Sequence, residues 1–211
     1  TDTEVIVNLY QEKGTECLQD LNGMFAFAIY NIENKKLFIA RDRFGIKPLY
    51  YLNTSKEFIF SSELKGITAY PDTELDLSFE AIDLYLTMEY VPAPFTIYRD
   101  ILKLEQGCYL IITNGSLEKK KWYKLSYRPK FNYSHENDYV EELDGLLMES
   151  VKKRTISDVP LGAFLSGGLD SSLITYYLNK YHNNLNTFSI GFEDDSFDES
   201  KYSRAVSRHL N

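Results

Sequence analysis

Cysteine is scarce in this sequence of 211 residues, which contains only Cys17 and Cys108 and no CxxC pair. Two isolated cysteines exclude a disulfide framework and a cysteine-rich zinc site, and they are typical of proteins from the reducing cytosol. The sequence also lacks a signal peptide and an apolar run long enough to span a membrane. We therefore expect a cytoplasmic protein with no membrane partner, in which both cysteines are buried small hydrophobic residues.

Long runs of basic residues are also missing. The net charge is −8, the isoelectric point is about 5.0, and the run Lys119–Lys121 is too short to form a basic face. Because affinity for a nucleic acid comes largely from cations that neutralise its phosphates, we expect no nucleic-acid partner. Hydrophobic residues make up 44% of the chain, which is enough to bury a core.

The phosphate-binding motif GxxxxGK followed by Ser or Thr is absent, and with it the lysine of P-loop enzymes. Instead, AFLSGGLDSSLITYYL, residues 163–178, runs from a strand pattern through a glycine turn into a helix pattern. Glycine lets an anion come close, and the first N–H groups of a helix attract one. Asp170 would repel phosphate unless Mg²⁺ lay between them. The segment predicts a pyrophosphate site; the competing interpretation is an ordinary Ser/Asp helix cap.

The chain before Ser126 is rich in short strand patterns joined by tight turns. A helix pattern begins at Thr3 and ends at Gly14, and a second helix is capped by Ser78. Asn114-Gly115 is a strong hairpin signal. The strand patterns cover residues 24–30, 37–40, 48–52, 57–63, 107–113 and 117–125. Antiparallel sheets are therefore expected here.

The pattern changes after a polar linker, Ser126–Asp138. A helix with an apolar face from Tyr139 to Val151 is followed by a strand at 161–166, a helix at 171–181 and a strand at 186–192. Strand, helix and strand at this length imply a right-handed βαβ unit in a parallel sheet. The sequence thus predicts an α+β domain over residues 1–130 and an α/β domain over residues 131–211.

Several blocks of the sequence resemble, in order and spacing, the bacterial glutamine-hydrolysing asparagine synthetases. SGGLDSS is similar to the pyrophosphate loop (PP-loop) of the ATP pyrophosphatases. The other blocks are NGMFAFAIYNIENKKLFIARDRFGIKPLYY, FSSELKGI, YVPAPFTIYRDILKLEQGCYL and SFDESKYSRAVSRHL. The resemblance implies the end of a class II glutaminase domain, an incomplete antiparallel sandwich of the N-terminal-nucleophile type. It implies next the start of an ATP-pyrophosphatase synthetase domain, an incomplete parallel sheet like that of the adenine nucleotide α-hydrolases.

The family's activity is implied for the parent protein. One domain releases ammonia from glutamine, and the other uses ATP and Mg²⁺ to convert aspartate to β-aspartyl-AMP. Ammonia then gives asparagine, AMP and pyrophosphate. Adenylation makes physical sense because a carboxylate is a poor electrophile until one oxygen becomes part of a leaving group, and shielding from water protects the intermediate. Glutamine, aspartate and ATP are thus the implied partners, and the resemblance also allows a homodimer.

The resemblance carries over to individual residues. Asp2 matches the family aspartate that holds the glutamine α-amino group, although it is equally suited to cap the helix at Thr3. Leu165 and Ile190 match positions whose main chain meets adenosine, in line with ligand binding at the carboxyl ends of parallel strands. Asp170 is the expected Mg²⁺ ligand. The expected pyrophosphate-binding residues are Ser166, Gly167, Gly168, Asp170, Ser171 and Ser172.

The chain departs from the family pattern at its start. The family nucleophile is an N-terminal cysteine, whereas the first residue here is Thr1. No catalytic residue of the glutaminase is retained, and Asn22-Gly23 is a turn rather than the family's oxyanion-hole pair. We expect a fragment that is inactive when expressed alone, with less order in its second part than in its first.

Three alternatives stay open at the level of the sequence. A related ligase could amidate another carboxylate, as in β-lactam or sugar-acid amide formation, because the acceptor pocket is expected beyond Asn211. A tRNA-modifying enzyme of the sulfur-transfer kind should show a basic face and catalytic cysteines, so the acidic isoelectric point disfavours it. An isolated fragment without activity is the third.

Charged residues elsewhere are assigned structural roles. ARDRFGIKPLYY, residues 40–51, is interpreted as a turn fixed by Gly45 and Pro48, with its charges paired. The acidic segment 193–199 is expected to be a solvated loop that ends in a helix cap. The histidines are expected at the surface: His135, His182 and His209.

Overall fold

A computed structural model describes residues 1–71, 73–127, 131–182, 185–194 and 196–210. The chain divides into two compact units, Thr1–Tyr127 and Arg128–Asn211. The expected domain boundary at residue 130 lies outside the described residues, as do residues 128–130 of the expected linker and Asp195 of the acidic segment.

The first unit is a mixed α/β structure with antiparallel sheets, as expected. A four-stranded sheet has the order β1-β2-β6-β7 and a three-stranded sheet has the order β4-β3-β5. The strands are β1 (Ala26–Asn31), β2 (Lys36–Arg41), β3 (Tyr50–Asn53), β4 (Phe58–Ser61), β5 (Ile101–Lys103), β6 (Cys108–Thr113) and β7 (Ser116–Lys121). The helices are α1 (Asp2–Lys13), α2 (Cys17–Asp20), α3 (Leu64–Thr68) and α4 (Phe79–Met88), and Gly14–Glu16 form a 3₁₀ turn.

Alternating side chains of the strands build three buried clusters, because successive residues point to opposite faces of a sheet. The clusters contain Ile39, Tyr51 and Leu110 between the sheets, Phe38 and Leu18 between the first sheet and α2, and Leu52 and Ile67 between the second sheet and α3. The unit is therefore layered as helix, sheet, sheet and helix. Cys17 and Cys108 are both buried, as expected, and burial raises the pKa of each thiol.

Local signals in the sequence account for several of these boundaries. The Ser78 hydroxyl caps α4 by accepting from the Ala81 N–H. Asn114 and Gly115 have φ of 51° and 78°, which the tight turn between β6 and β7 requires. The edge strand β7 carries Lys119–Lys121, a run of charge that discourages pairing with another chain.

The second unit contains helices around a short parallel sheet. Helix α5 (Glu136–Lys152) is followed by β8 (Gly162–Phe164), α6 (Leu169–Asn179), β9 (Asn186–Phe188) and α7 (Ser200–Leu210). Strands β8 and β9 pair in parallel, with Ala163 opposite Thr187. Both strands are shorter than the sequence pattern suggested. Within the described residues, none of the helices has both the length and the apolar content needed to cross a bilayer.

Candidate functional site

Gly167 forms the turn between β8 and α6. Its φ is +91°, and a Cβ placed on it would lie 2.5 Å from Tyr202 Cβ and 2.6 Å from the backbone nitrogen of Ser203. The position therefore requires glycine for two reasons, the positive φ and the close approach of the first turn of α7. Packing on α7 gives the turn a defined position.

The hydroxyl groups of Ser166 and Ser171 bind within the SGGLDSS segment and do not cap the helix. The Oγ atoms of Ser166 and Ser171 lie 3.0 Å apart, Gly168 N donates to Ser166 Oγ at 3.3 Å, and Ser171 Oγ donates to Gly168 O at 3.2 Å. Gly168 is the N-cap residue of α6, and no side-chain hydrogen bond from the described residues caps the helix. The interpretation as an ordinary Ser/Asp cap is therefore wrong, and the first N–H groups of α6 are left for another acceptor.

One acid and one hydroxyl lie next to this helix end. Asp170 is in the first turn of α6 and is exposed. The Oγ atom of Ser172 is inaccessible to solvent and has no partner among the described residues. In the part of the chain that the structure describes, no three His, Cys, Asp or Glu residues form a metal cage. A single carboxylate beside free N–H donors fits Mg²⁺ that arrives with the phosphates of a nucleotide, since Mg²⁺ uses few protein ligands in such sites.

Leu165 and Ile190 lie at the ends of the two parallel strands. Leu165 is buried, its N–H donates to Phe188 O at 2.8 Å, and its carbonyl accepts from Ser189 Oγ at 2.6 Å. The Leu165 N–H is therefore used inside the unit, and only its carbonyl, which has a second lone pair, retains the capacity to meet a ligand. Ile190 is 71% exposed. Contact of either main chain with adenosine stays a prediction.

Asp2 belongs to the first unit, whereas the PP-loop candidates belong to the second. Thr1, not Asp2, is the N-cap of α1, with a capping box that pairs its hydroxyl with Glu4. The expected cap role of Asp2 is therefore wrong. The Oδ1 atom of the exposed Asp2 carboxylate accepts from the N–H and the hydroxyl of Thr3 at 2.8 and 3.4 Å, and the second carboxylate oxygen can accept from a cationic group.

Charged side chains of the turn at residues 40–51 bind backbone groups, and no ion pair with another described residue involves them. The Asp42 carboxylate, which is 1% exposed, accepts from the N–H groups of four residues at 3.0 to 3.2 Å: Phe25, Phe44, Ile46 and Lys47. Arg41 donates to the carbonyls of Lys47, Leu104 and Gly45. The turn is structural as expected, whereas the expected pairing of its charges near the domain junction is not found among the described residues. A charge-rich string gives no signal that separates these two cases.

The sequence carries no signal for a hydrogen bond that joins α5 to α6. The hydroxyl of Tyr177, which is 3% exposed, donates to Asp144 Oδ1 at 2.6 Å. This bond and burial raise the pKa of Tyr177 to about 12.

The acidic loop and two of the three histidines are placed as expected. Asp198 accepts from the N–H and hydroxyl of Ser200 at the start of α7, so the acidic loop ends in a helix cap as expected. His135 and His209 are exposed. His182 is half-buried rather than fully at the surface, and its Nε2 atom is inaccessible to solvent and has no partner among the described residues.

Both parts of the chain match families of known proteins. Residues 1–123 match the glutamine amidotransferase domain family, and residues 142–211 match the asparagine synthase family. A Methanocaldococcus jannaschii protein with the provisional name glutamine-hydrolyzing asparagine synthetase 2 is 41% identical over 213 residues, covering 98% of this chain and 41% of that protein. Glutamine-hydrolyzing asparagine synthetase 1 of Bacillus subtilis is 39% identical over 201 residues, covering 94% of this chain and 31% of that protein.

A third relative extends the same pattern. Glutamine-hydrolyzing asparagine synthetase B of Escherichia coli is 37% identical over 185 residues, covering 86% of this chain and 28% of that protein. The chain thus spans 28% to 41% of the length of these three relatives. Because the amidotransferase match extends over more than half of the sequence, the chain belongs to the glutamine amidotransferase domain family and continues into a segment that matches the asparagine synthases.

Proposed function

We propose that this sequence is part of an ATP-dependent ligase that makes asparagine from aspartate with ammonia taken from glutamine. The observation that carries the proposal is the N-terminal end of α6, where no described side chain caps the helix and Gly167 fixes the turn against α7. Such a helix end binds anions. The names of the relatives, all asparagine synthetases, support the choice of reaction.

The finer fold assignments and the setting of the enzyme belong to the same proposal. The first unit corresponds to a glutaminase of the N-terminal-nucleophile type, supported by its helix-sheet-sheet-helix layers. The second corresponds to the start of a parallel sheet of the adenine nucleotide α-hydrolase type, supported by β8 and β9. The proposed domains are 1–130 and 131–211, and the enzyme works in the cytoplasm on small molecules, without nucleic acid, as a homodimer.

In this proposal the residues of the chain bind and orient ATP. The N–H groups at the start of α6 donate to pyrophosphate oxygens, and Asp170 would hold Mg²⁺. Rotation of the Ser172 side chain would turn its hydroxyl, which is inaccessible to solvent in this rotamer, toward the same oxygens. When bound, Mg²⁺ neutralises charge on the phosphates and stabilises the pyrophosphate that leaves. The Leu165 carbonyl and the Ile190 backbone contact the adenosine, at the strand ends where parallel sheets bind ligands.

Asp170→Ala tests the proposal. In the natural protein that carries this sequence, the change should abolish aspartate-dependent pyrophosphate release with either glutamine or ammonia, because the Mg²⁺ ligand is lost. Glu141→Ala, which removes an exposed acid from α5, should leave release unchanged. Near wild-type synthesis from ammonia by the Asp170 variant would show that the assignment is wrong.

Asp2→Asn tests the glutamine side. A charge-assisted hydrogen bond to the glutamine ammonium is worth about 1.5–3 kcal/mol, so the KM for glutamine should rise by about one to two orders of magnitude. Ammonia-dependent synthesis should change little, since it bypasses the glutaminase. Glu4→Gln removes a charge from the same first turn of α1 and should leave the KM for glutamine within about twofold. Equal, small effects of both variants would refute the role of Asp2.

A further inference from the structure

Helix α6 is fixed at two places along its second half. Tyr177 donates to Asp144 of α5 at 2.6 Å, and Asn179 Nδ2 donates to the carbonyl of Leu210 at the end of α7 at 2.7 Å. A short hydrogen bond to a carboxylate is among the strong ones. The bond to Asp144 and burial raise the pKa of Tyr177 to about 12.

The apolar face of α5 is only partly covered. Val151 is buried, Leu147 and Met148 are half-buried, and Tyr139, Leu143 and Leu146 are 44%, 56% and 47% exposed. The Thr175 hydroxyl, although buried, donates back to Ser171 O within α6 at 2.7 Å and binds no other helix. Among the described residues, the bond between Tyr177 and Asp144 is the side-chain hydrogen bond that joins α5 to α6.

We propose that Tyr177 and Asp144 are positioning residues that hold α6 so that its N-terminal end meets the pyrophosphate of ATP. The inference rests on the proposed function of the SGGLDSS segment. Loss of the bond lets α6 populate positions in which its first turn is displaced from the phosphates. The apparent affinity for ATP is then the intrinsic affinity multiplied by the fraction of molecules whose α6 is in the competent position. Saturating ATP draws the remaining molecules into that position. The effect is thus expected on KM and not on kcat.

Tyr177→Phe is the direct test, because it removes one hydroxyl and leaves the ring. In the natural protein that carries this sequence, we expect the KM for MgATP to rise about three- to tenfold, with kcat within about twofold of wild type. The matched control is Tyr176→Phe, the same change at the adjacent residue, whose ring is 42% exposed and whose hydroxyl binds Lys180. The control should leave both constants unchanged.

Substitution of the acceptor gives an independent test. Asp144→Asn keeps an oxygen that accepts from Tyr177, so the KM for MgATP should stay within about twofold of wild type. Asp144→Ala should match Tyr177→Phe, and the double variant should be no worse than either single one, because both remove the same bond.

Direct binding of inorganic pyrophosphate with Mg²⁺, measured by calorimetry, separates the possible failures. If Tyr177→Phe lowers the melting temperature but leaves the KM and the pyrophosphate affinity as in wild type, the residues only stabilise the unit and the inference is wrong. A fall in kcat at unchanged KM would also overturn it. If the wild type itself binds no pyrophosphate, the proposed function fails, and the inference falls with it.

Discussion

Gly167→Ala is expected to lower aspartate-dependent pyrophosphate release by at least about a hundredfold, because displacing a bound group by about 1 Å costs that much. The new Cβ would lie 2.5 Å from Tyr202 Cβ and 2.6 Å from Ser203 N, and the residue would keep a φ of +91° that L side chains rarely adopt. The loop at Gly167 and helix α7 must move apart, and the N-terminal end of α6 moves with that loop.

Gly145→Ala is the matched control for this prediction. Gly145 lies inside α5, and a Cβ placed on it would meet nothing within 4 Å. Pyrophosphate release should stay within about threefold of wild type, because alanine is favoured over glycine inside a helix. If both alanine variants were equally active, the position of the turn would not matter for the reaction and the proposed site would be wrong.

Asp42→Ala is expected to destabilise the first unit by about 3 kcal/mol, because each buried donor left without its acceptor costs about 1–3 kcal/mol. The carboxylate is 1% exposed, and its removal leaves N–H donors of four residues without their acceptor. Asp42→Asn should also destabilise, because the amide brings hydrogens toward groups that are donors themselves.

Urea unfolding followed by tryptophan fluorescence measures this effect. Trp122 is the single tryptophan of the chain, and its indole N–H donates to the Arg41 carbonyl at 3.1 Å, so the signal reports on the first unit. Asp76→Ala is the control, since the exposed Asp76 pairs only loosely with Arg99 at 3.9 Å and such pairs are worth at most about 1 kcal/mol. Equal free energies of unfolding for the two variants would contradict the structural role of Asp42.

Turns and helix caps, which depend on a few neighbouring residues, were predictable from the sequence. The hairpin at Asn114-Gly115 and the cap at Ser78 are formed as expected, because turn geometry and capping depend on neighbours along the chain. The strand, glycine turn and helix around Gly167 were likewise predictable from the change in hydrophobic period.

Contacts between distant residues were not predictable in the same way. Asp42 accepts from the N–H of Phe25, on a preceding segment. The same charged residues could equally have formed an ion pair, so the sequence does not distinguish the two arrangements. The approach of Gly167 to Tyr202 depends on how α7 packs. Tyr177 fits the apolar period of α6 as well as any core residue would, so its bond to Asp144 needed coordinates.

Transfer of labelled nitrogen from glutamine tests the central claim most directly. The natural protein that carries this sequence is incubated with MgATP, aspartate and glutamine labelled in its amide nitrogen, and the products are quantified together. We predict asparagine that carries the label, with AMP and pyrophosphate formed in equal amounts to it. Formation of ADP and phosphate instead, or amidation of another carboxylate with aspartate left unchanged, would contradict the account.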